Sequence, residues 1–361
     1  MEQISAGRIL IYHLFELAEE VDLGKVRRDW ADSTIGQIVP RRQQPGAIQF
    51  RDPPVILPLG ARPLTARFSG AVRAKIFDFG VASICWELDA PATWPELVER
   101  GAELQEDLTL EAASRRMLDE IRPRLLSACR GAIADSKLVE DYFIVYVEAF
   151  SAPLAAEVLL ANYGGSLASL LRGERGNLST DERIDALRLR HSYLVDDLVI
   201  VTWNAAFIYD PEGSTEHVNI LEYANAELLD LRYYDTLLDR ELDAVYAQLQ
   251  QRTAFTLGRA KFLRTSQRLM RLMIEVWDLQ EKIRNALKVI GDMYSARVYR
   301  LIADRLRLQS WEESVDQKLR IAQQVYQVLL EELNQQRFML LEIIIVLLIL
   351  LETIFFALSQ H

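Results

Sequence analysis

Residues 73–88 read RAKIFDFGVASICWEL, and this stretch sets the fold class. Isoleucine, valine, phenylalanine and tryptophan crowd into it, and no 3.6-residue period organises them. Such β-branched and aromatic content reads as strand. Working outward, two more stretches carry the same signature: 142–150 (YFIVYVEAF) and 195–209 (VDDLVIVTWNAAFIY). Residues 9–17 and 66–72 are weaker strand candidates. Helices lie between them. Thr93 stands three residues before Glu96, and Ser179 three before Glu182. That spacing lets a hydroxyl and a carboxylate cap one helix start reciprocally. Stretches 110–134 and 152–172 also read as helix, and the proline-rich segment 39–63 as an irregular loop. Strands and helices do not alternate strictly, so residues 1–216 are expected to form an α+β domain. Pro211-Glu212-Gly213 marks its end.

Beyond residue 216 the pattern changes to helix. Residues 219–250 read as one helix and 258–308 as a second, broken near Gly291. The second carries an apolar seam at Leu272, Val276, Leu279, Ile283, Ala286 and Ile290. A third helix is expected to start at Ser310, capped with Glu313. Its seam is Val315, Leu319, Ala322, Tyr326, Leu329 and Leu333. Steps alternating between four and three suit antiparallel coiled-coil packing, so 217–337 is read as an all-α helical stalk.

The stalk runs without a breaker into residues 338–358, FMLLEIIIVLLILLETIFFAL, where only Glu342, Glu352 and Thr353 are not apolar. At 1.5 Å per residue this spans roughly 31 Å, the thickness of a bilayer core. The expectation is a single-pass C-terminal transmembrane tail anchor, with Phe338, Glu342, Ile345, Leu350, Glu352 and Leu358 inside or beside the lipid bilayer. Arg337 on its N-terminal side fits a body held in the cytoplasm at the inner membrane. The alternative is a helix buried in a bundle or at an oligomer seam. Five acidic residues before position 23 argue against a secretory signal or a mitochondrial presequence.

The chain has 361 residues and a formal net charge of −11. Residues 1–216 hold 23 basic and 33 acidic side chains, whereas 217–337 hold 18 and 17. An acidic surface does not suit phosphate binding, so DNA is not an expected partner. The phosphate-cradling glycine loops and the nucleophile elbow are missing from the sequence. His13, His191, His217 and His361 lie at no metal-ligand spacing from one another or from Cys85 and Cys129. No metal, no cofactor and no catalytic residue is therefore expected. His191 beside Asp196 and Asp197 is the nearest thing to a catalytic fragment.

One charged pattern is less ordinary. From 244 to 274 there are six basic and no acidic residues. Lys261, Arg264, Arg268 and Arg271 follow steps of three, four and three, and so share one helical face. Such a face is either solvated, paired with the acidic domain, or a contact for RNA or anionic lipid headgroups.

The strand KIFDFGVASICWEL, with Phe79, Gly80 and Trp86, resembles the signature strand of the required-for-meiotic-nuclear-division family, a domain of unknown function. EYANAELLDLRYYD (222–235) is similar to that family's helical region. So is 289–351, with Tyr299, Trp311, Lys318-Leu319, Tyr326, Arg337 and Leu341-Glu342-Ile343-Ile344. The resemblance covers about 66–358 and implies a bacterial member, C-terminally anchored in a membrane. It also implies a tether for ribosomes, with no established enzymatic activity and with Glu342 matching the family's membrane-proximal glutamate.

These readings converge on a non-enzymatic, membrane-anchored scaffold that recruits a cytoplasmic partner, with a homo-oligomer or a protein partner, and a ribosome contact, as the expected associations. Two alternatives remain in view. One is an enzyme or small-ligand sensor in the α+β domain using Asp78, Asp196 or His191. The other is a self-associating membrane-organising protein built on the long helices.

Overall fold

The computed structural model describes residues 2–30, 52–133, 137–250, 264, 266–277 and 293–359. Its strands are β1 (Ile4–Glu16), β2 (Ala18–Val21), β3 (Val55–Pro63), β4 (Ser69–Ile76), β5 (Val81–Asp89), β6 (Cys129–Ala132), β7 (Val139–Phe150), β8 (Arg190–His191), β9 (Leu198–Val201) and β10 (Ala205–Tyr209). Its helices are α1 (Leu23–Asp29), α2 (Trp94–Glu106), α3 (Thr109–Leu125), α4 (Ala156–Arg172), α5 (Thr180–Ala186), α6 (Glu216–Gln250), α7 (266–277), α8 (Met293–Leu306) and α9 (Leu308–Ser359).

Eight strands form one mixed sheet in the order β3-β4-β5-β1-β7-β10-β9-β8, and β2 and β6 form a small second sheet. All neighbours in the large sheet are antiparallel except β7 and β10. The α+β expectation thus holds. The opening stretch 73–88 is two strands rather than one. Gly80 turns the chain between them at φ 98°, and the Phe77 amide donates to the Val81 carbonyl at 2.9 Å. Glycine reaches this backbone region without steric cost. Likewise 195–209 is the β9–β10 hairpin, and β3 occupies the end of the segment expected to be loop.

Alternation of side chains across strands divides the sheet into two faces. One carries Ile9, Ile11, Phe15, Ile84, Trp86, Phe143, Val145 and Phe207 into the core with α2, α3 and α4. Trp94 stacks on Tyr163 with ring centroids 4.6 Å apart. Trp86, fully buried, donates its indole N–H to Ser114 Oγ at 2.8 Å, and that hydroxyl also meets His13 Nδ1 at 2.9 Å. The other face carries Leu10, Tyr12, Leu14, Glu16, Lys75, Ile144 and Ile208, and it too is buried.

The chain divides into two compact units, Met1–Tyr233 with Leu279–Glu312, and Tyr234–Asp278 with Glu313–His361. The second unit is helical. Leu238, Leu242 and Val245 of α6, Leu269, Leu272 and Val276 of α7, and Val315, Leu319 and Ala322 of α9 are among its buried residues. Lys318 binds Asp235 at 2.8 Å and Asp239 at 2.6 Å. Leu279, Ile283, Ala286, Ile290 and Gly291 lie outside the described residues, as do the side chains of Leu329, Leu333 and Arg337. The third helix begins at Leu308 rather than at Ser310, straight after Arg307 at φ 55°.

The transmembrane anchor is not supported. Among the described residues, no helix is long and apolar enough to cross a membrane. The carboxylates supply a physical reason. Glu342 and Glu352 enclose only nine consecutive apolar residues, 343–351. Nine residues rise about 14 Å, against a hydrocarbon core of about 30 Å. Phe338, Glu342, Ile345, Leu350 and Glu352 are instead exposed positions along α9, and the Leu358 side chain lies outside the described residues. The inner-membrane location rested on that span and loses its support with it.

Candidate functional site, a buried ionisable seam under α6

The second face of the sheet is where chemistry-bearing side chains gather. The start of α6 lies over it, and the sequence explains why this helix is buried on every side. Ile220, Leu221, Tyr223, Ala224, Ala226, Leu228, Leu229 and Leu231 are all buried, and consecutive helical positions point about 100° apart. A helix apolar all round is a core helix. Set into it are Glu222, Asn225, Glu227 and Asp230, each at most 2 % exposed.

Opposite them stands Lys75 of β4, itself 2 % exposed. Its ammonium forms an ion pair with Glu222 and donates to Asn219 Oδ1 at 3.0 Å. A charge so deeply buried persists only when it is paired and hydrogen-bonded. Glu16 of β1 faces Asp230, and its Oε1 has no hydrogen-bond partner. Burial pushes its carboxyl well above the usual range, and the nearby Asp230 pushes it further. Glu227 accepts from the Tyr299 hydroxyl of α8 at 2.7 Å. Burial raises its pKa to about 8 against the lowering effect of that bond. Glu140 of β7 pairs with Arg232, yet burial still lifts it to about 7. Arg232 also sits 5.8 Å from the ring centre of Trp311.

A second row lies further along the same face and is half-buried. Arg73 donates to Glu87 at 2.8 Å and to the Tyr12 hydroxyl at 3.1 Å. Arg8 bonds Glu87 at 3.1 Å and also pairs with Glu148. Cys85 lies beneath this row, and burial raises its thiol to about 11, so it is no ready nucleophile.

The expected candidates lie elsewhere. Asp197 accepts from the Tyr193 and Leu194 amides at 2.7 and 3.1 Å, which commits it to a turn. The His191 ring packs 5.1 Å from Tyr294, and Tyr294 also meets Tyr193 and His217 at 5.0 and 5.1 Å. This four-ring cluster joins residues a hundred positions apart, and no sequence spacing announces it. Arg264, Arg268 and Arg271 are exposed on one helix, and Arg268 pairs with Glu241 of α6 at 2.7 Å. Lys261 lies outside the described residues. Among the described residues, no group of three or more His, Cys, Asp or Glu side chains is placed to hold a metal ion.

Comparison with known proteins places this architecture. The family whose model matches is described as "Uncharacterized protein MJ0711, N-terminal domain", and the match covers residues 6–215. The chain belongs to that family. It is 27 % identical over 237 residues to the uncharacterized protein MJ0711 of Methanocaldococcus jannaschii, covering 65 % of this chain and 71 % of that protein. No solved structure matches. The resemblance to the required-for-meiotic-nuclear-division family is thereby overturned, because the matching family is a different one. The motif residues that suggested it have structural duties, those up to Trp86 within the matched domain and Trp311 beyond it. Gly80 makes a tight turn, Phe79 stacks on Phe77 at 5.2 Å, Trp86 fills the core, and Trp311 packs beside Arg232. A ribosome-tethering role rested on that resemblance and goes with it.

Proposed function

We propose that the protein is a non-catalytic scaffold. The α+β unit supplies a rigid platform, and the helical unit docks a protein partner. One observation carries this reading. The described apolar residues of 341–351 on α9 are each between 43 and 64 % exposed. They occupy successive helical positions, so the helix is apolar around its whole circumference there. Contiguous apolar surface beyond a few hundred Å² marks an interaction site rather than ordinary surface. Within the same unit Met270, Ile274 and Trp277 of α7, spaced four and three apart, are 41 to 51 % exposed. Tyr326 of α9 donates to Met270 Sδ at 3.7 Å, so this second stripe lies beside α9 about 22 Å before the 341–351 segment. The ionisable seam under α6, in contrast, is buried and cross-linked by the Lys75–Glu222, Arg232–Glu140 and Tyr299–Glu227 pairs, which suits a fastening better than a reaction centre.

The test is a photo-crosslinking residue placed at Leu347 in the full chain in living cells, with a control at exposed Glu157 of α4. The scaffold reading expects discrete protein adducts from 347 and few from 157. A complete lack of protein adducts at 347 would overturn it.

A further inference from the structure

Three guanidiniums of the first unit converge on one carboxylate where α4, α5 and α8 end. Asp185 of α5 receives Arg172, the last residue of α4, on Oδ2 at 2.7 Å. Arg188, just past α5, stands 3.4 Å from Oδ1. Arg305, in the last turn of α8, stands 3.6 Å from Oδ2. Only the Arg172 contact is a hydrogen bond. Arg172 also pairs with Glu182 at 2.6 Å. Three positive charges thus share two carboxylates.

Arg305 is the decisive member. Its side chain is 15 % exposed, and its Nε is buried without an acceptor. Among the described residues it makes no hydrogen bond through its side chain. A guanidinium carries five donors in a fixed fork, and a buried one is ordinarily bonded. The last turn of a helix suits its charge but spends none of these hydrogens. Arg188 likewise makes no side-chain hydrogen bond among the described residues, and at 62 % exposure it leaves the niche open to solvent.

We propose that these two unspent forks, together with Arg172, bind the phosphate group of a small ligand. The shape of the acceptor separates phosphate from carboxylate. Asp185 shows how a planar carboxylate performs here, for it bonds one fork and leaves the other two at 3.4 and 3.6 Å. A phosphate monoester brings two charges and three outer oxygens in a tetrahedral array. It can therefore meet guanidiniums that arrive from different elements, and it offsets the surplus positive charge. The Tyr142 hydroxyl donates to the Thr202 and Ala205 carbonyls and feels the charge of Arg305, so that guanidinium lies near the β9–β10 turn. Trp203 of the same turn is 62 % exposed and offers an open ring face to a nucleobase. The niche belongs to the first unit and does not depend on what docks on the second.

The experiment is equilibrium dialysis and thermal melting of the full chain with inorganic phosphate or adenosine monophosphate, at an ionic strength held constant with chloride. Saturable uptake of one phosphate per chain and a raised melting temperature are expected. Arg188→Gln should weaken uptake at least tenfold, because a charge-assisted bond is lost, and leave the circular dichroism unchanged, because the side chain is exposed. Arg305→Lys keeps the charge, loses the fork and should also weaken uptake at least tenfold. Both arms support the site and differ in its source. Adenosine monophosphate held at least tenfold tighter, with the difference lost in Trp203→Ala, assigns it to a nucleotide, and equal binding assigns it to the free ion. No saturable uptake, or uptake unchanged in both arginine variants, would overturn the site. Acetate or succinate displacing phosphate at equal concentration would overturn the choice of phosphate.

Discussion

Gly80 shows how much of the fold can hang on one missing methyl group. Its φ of 98° is open to glycine, and a Cβ placed there would stand 1.8 Å from the Ala18 carbonyl oxygen. The neighbouring backbone has no room to yield, since the Gly80 carbonyl accepts from the Leu17 and Ala18 amides at 2.9 and 3.3 Å. Gly80→Ala should therefore lower stability by on the order of 3 kcal/mol, read from the denaturant midpoint. Lys75 makes the same point for charge. Lys75→Met leaves Glu222 buried opposite an apolar side chain, and removing one partner of a buried pair costs about 3 to 5 kcal/mol. Replacing both, Lys75→Met with Glu222→Leu, should recover most of that loss, because an apolar pair of similar volume needs no compensating charge. If the double variant is as unstable as the single one, Lys75 has a further role that the ion pair does not explain. The strand around Lys75 was legible in the sequence as strand. The burial of the lysine was not, since a lone basic residue in an apolar strand usually reaches solvent, and only α6 reveals its partner.

At the scale of elements, α6 is the piece that turns a sheet with one buried face into a sheet buried on both. Its sequence carried a signal, an apolar circumference interrupted by acids, which marks a core helix more firmly than it marks a stalk. The strands were legible from β-branched and aromatic runs, but hairpins hid inside two of them. The turn at Gly80 and the one after Thr202 are too short to interrupt an apolar window. The seam under α6 was illegible because Glu16, Lys75 and Glu227 lie far apart in sequence, and no local spacing links them. The seam also predicts how the fold responds to pH. Glu227 and Glu140 have folded pKa values raised to about 8 and about 7. The folded protein thus holds protons that the unfolded chain has released, so these groups stabilise at low pH and lose that contribution as pH rises through the folded values. His13 works the other way, being depressed to about 4 by burial, and it costs stability as pH falls below 6.5. Above about pH 6.5 only the carboxyl contribution is left. Stability should fall between pH 6.5 and 8 by roughly 1.4 kcal/mol per pH unit for each proton released. Glu227→Gln keeps an acceptor for Tyr299 and should flatten that slope in chemical denaturation at pH 6.5 and 8. An unchanged slope would remove Glu227 as its source.

For the whole molecule the informative mismatch is between the family boundary and the compact unit. The family match ends at residue 215, and the sequence itself ends its strands at Pro211-Glu212-Gly213. The unit does not end there, for it also takes in the start of α6 and Leu279–Glu312. A composition shift marks where strand becomes helix, but burial decides what folds together, and the helix after the shift belongs to the sheet before it. A fragment ending at 215 would strip α6 and α8 from the second face. Leu10, Leu14, Ile144 and Ile208 would meet water, and Lys75 and Glu140 would lose Glu222 and Arg232. Each apolar side chain so uncovered forfeits about 1.5 to 3 kcal/mol, which four of them together raise to the size of a whole domain's stability. The fragment 1–215 should therefore aggregate or bind a hydrophobic dye strongly. The fragment 1–312 keeps the cover on the second face and should show the cooperative unfolding transition that 1–215 lacks, although losing 313–361 uncovers Leu238, Leu242 and Val245 and leaves some dye binding. Soluble expression, dye fluorescence and thermal melting of the two fragments side by side check this. A folded, cooperative 1–215 would mean that the sheet needs no cover on its second face, and that α6 is fastened to the domain without being part of its core.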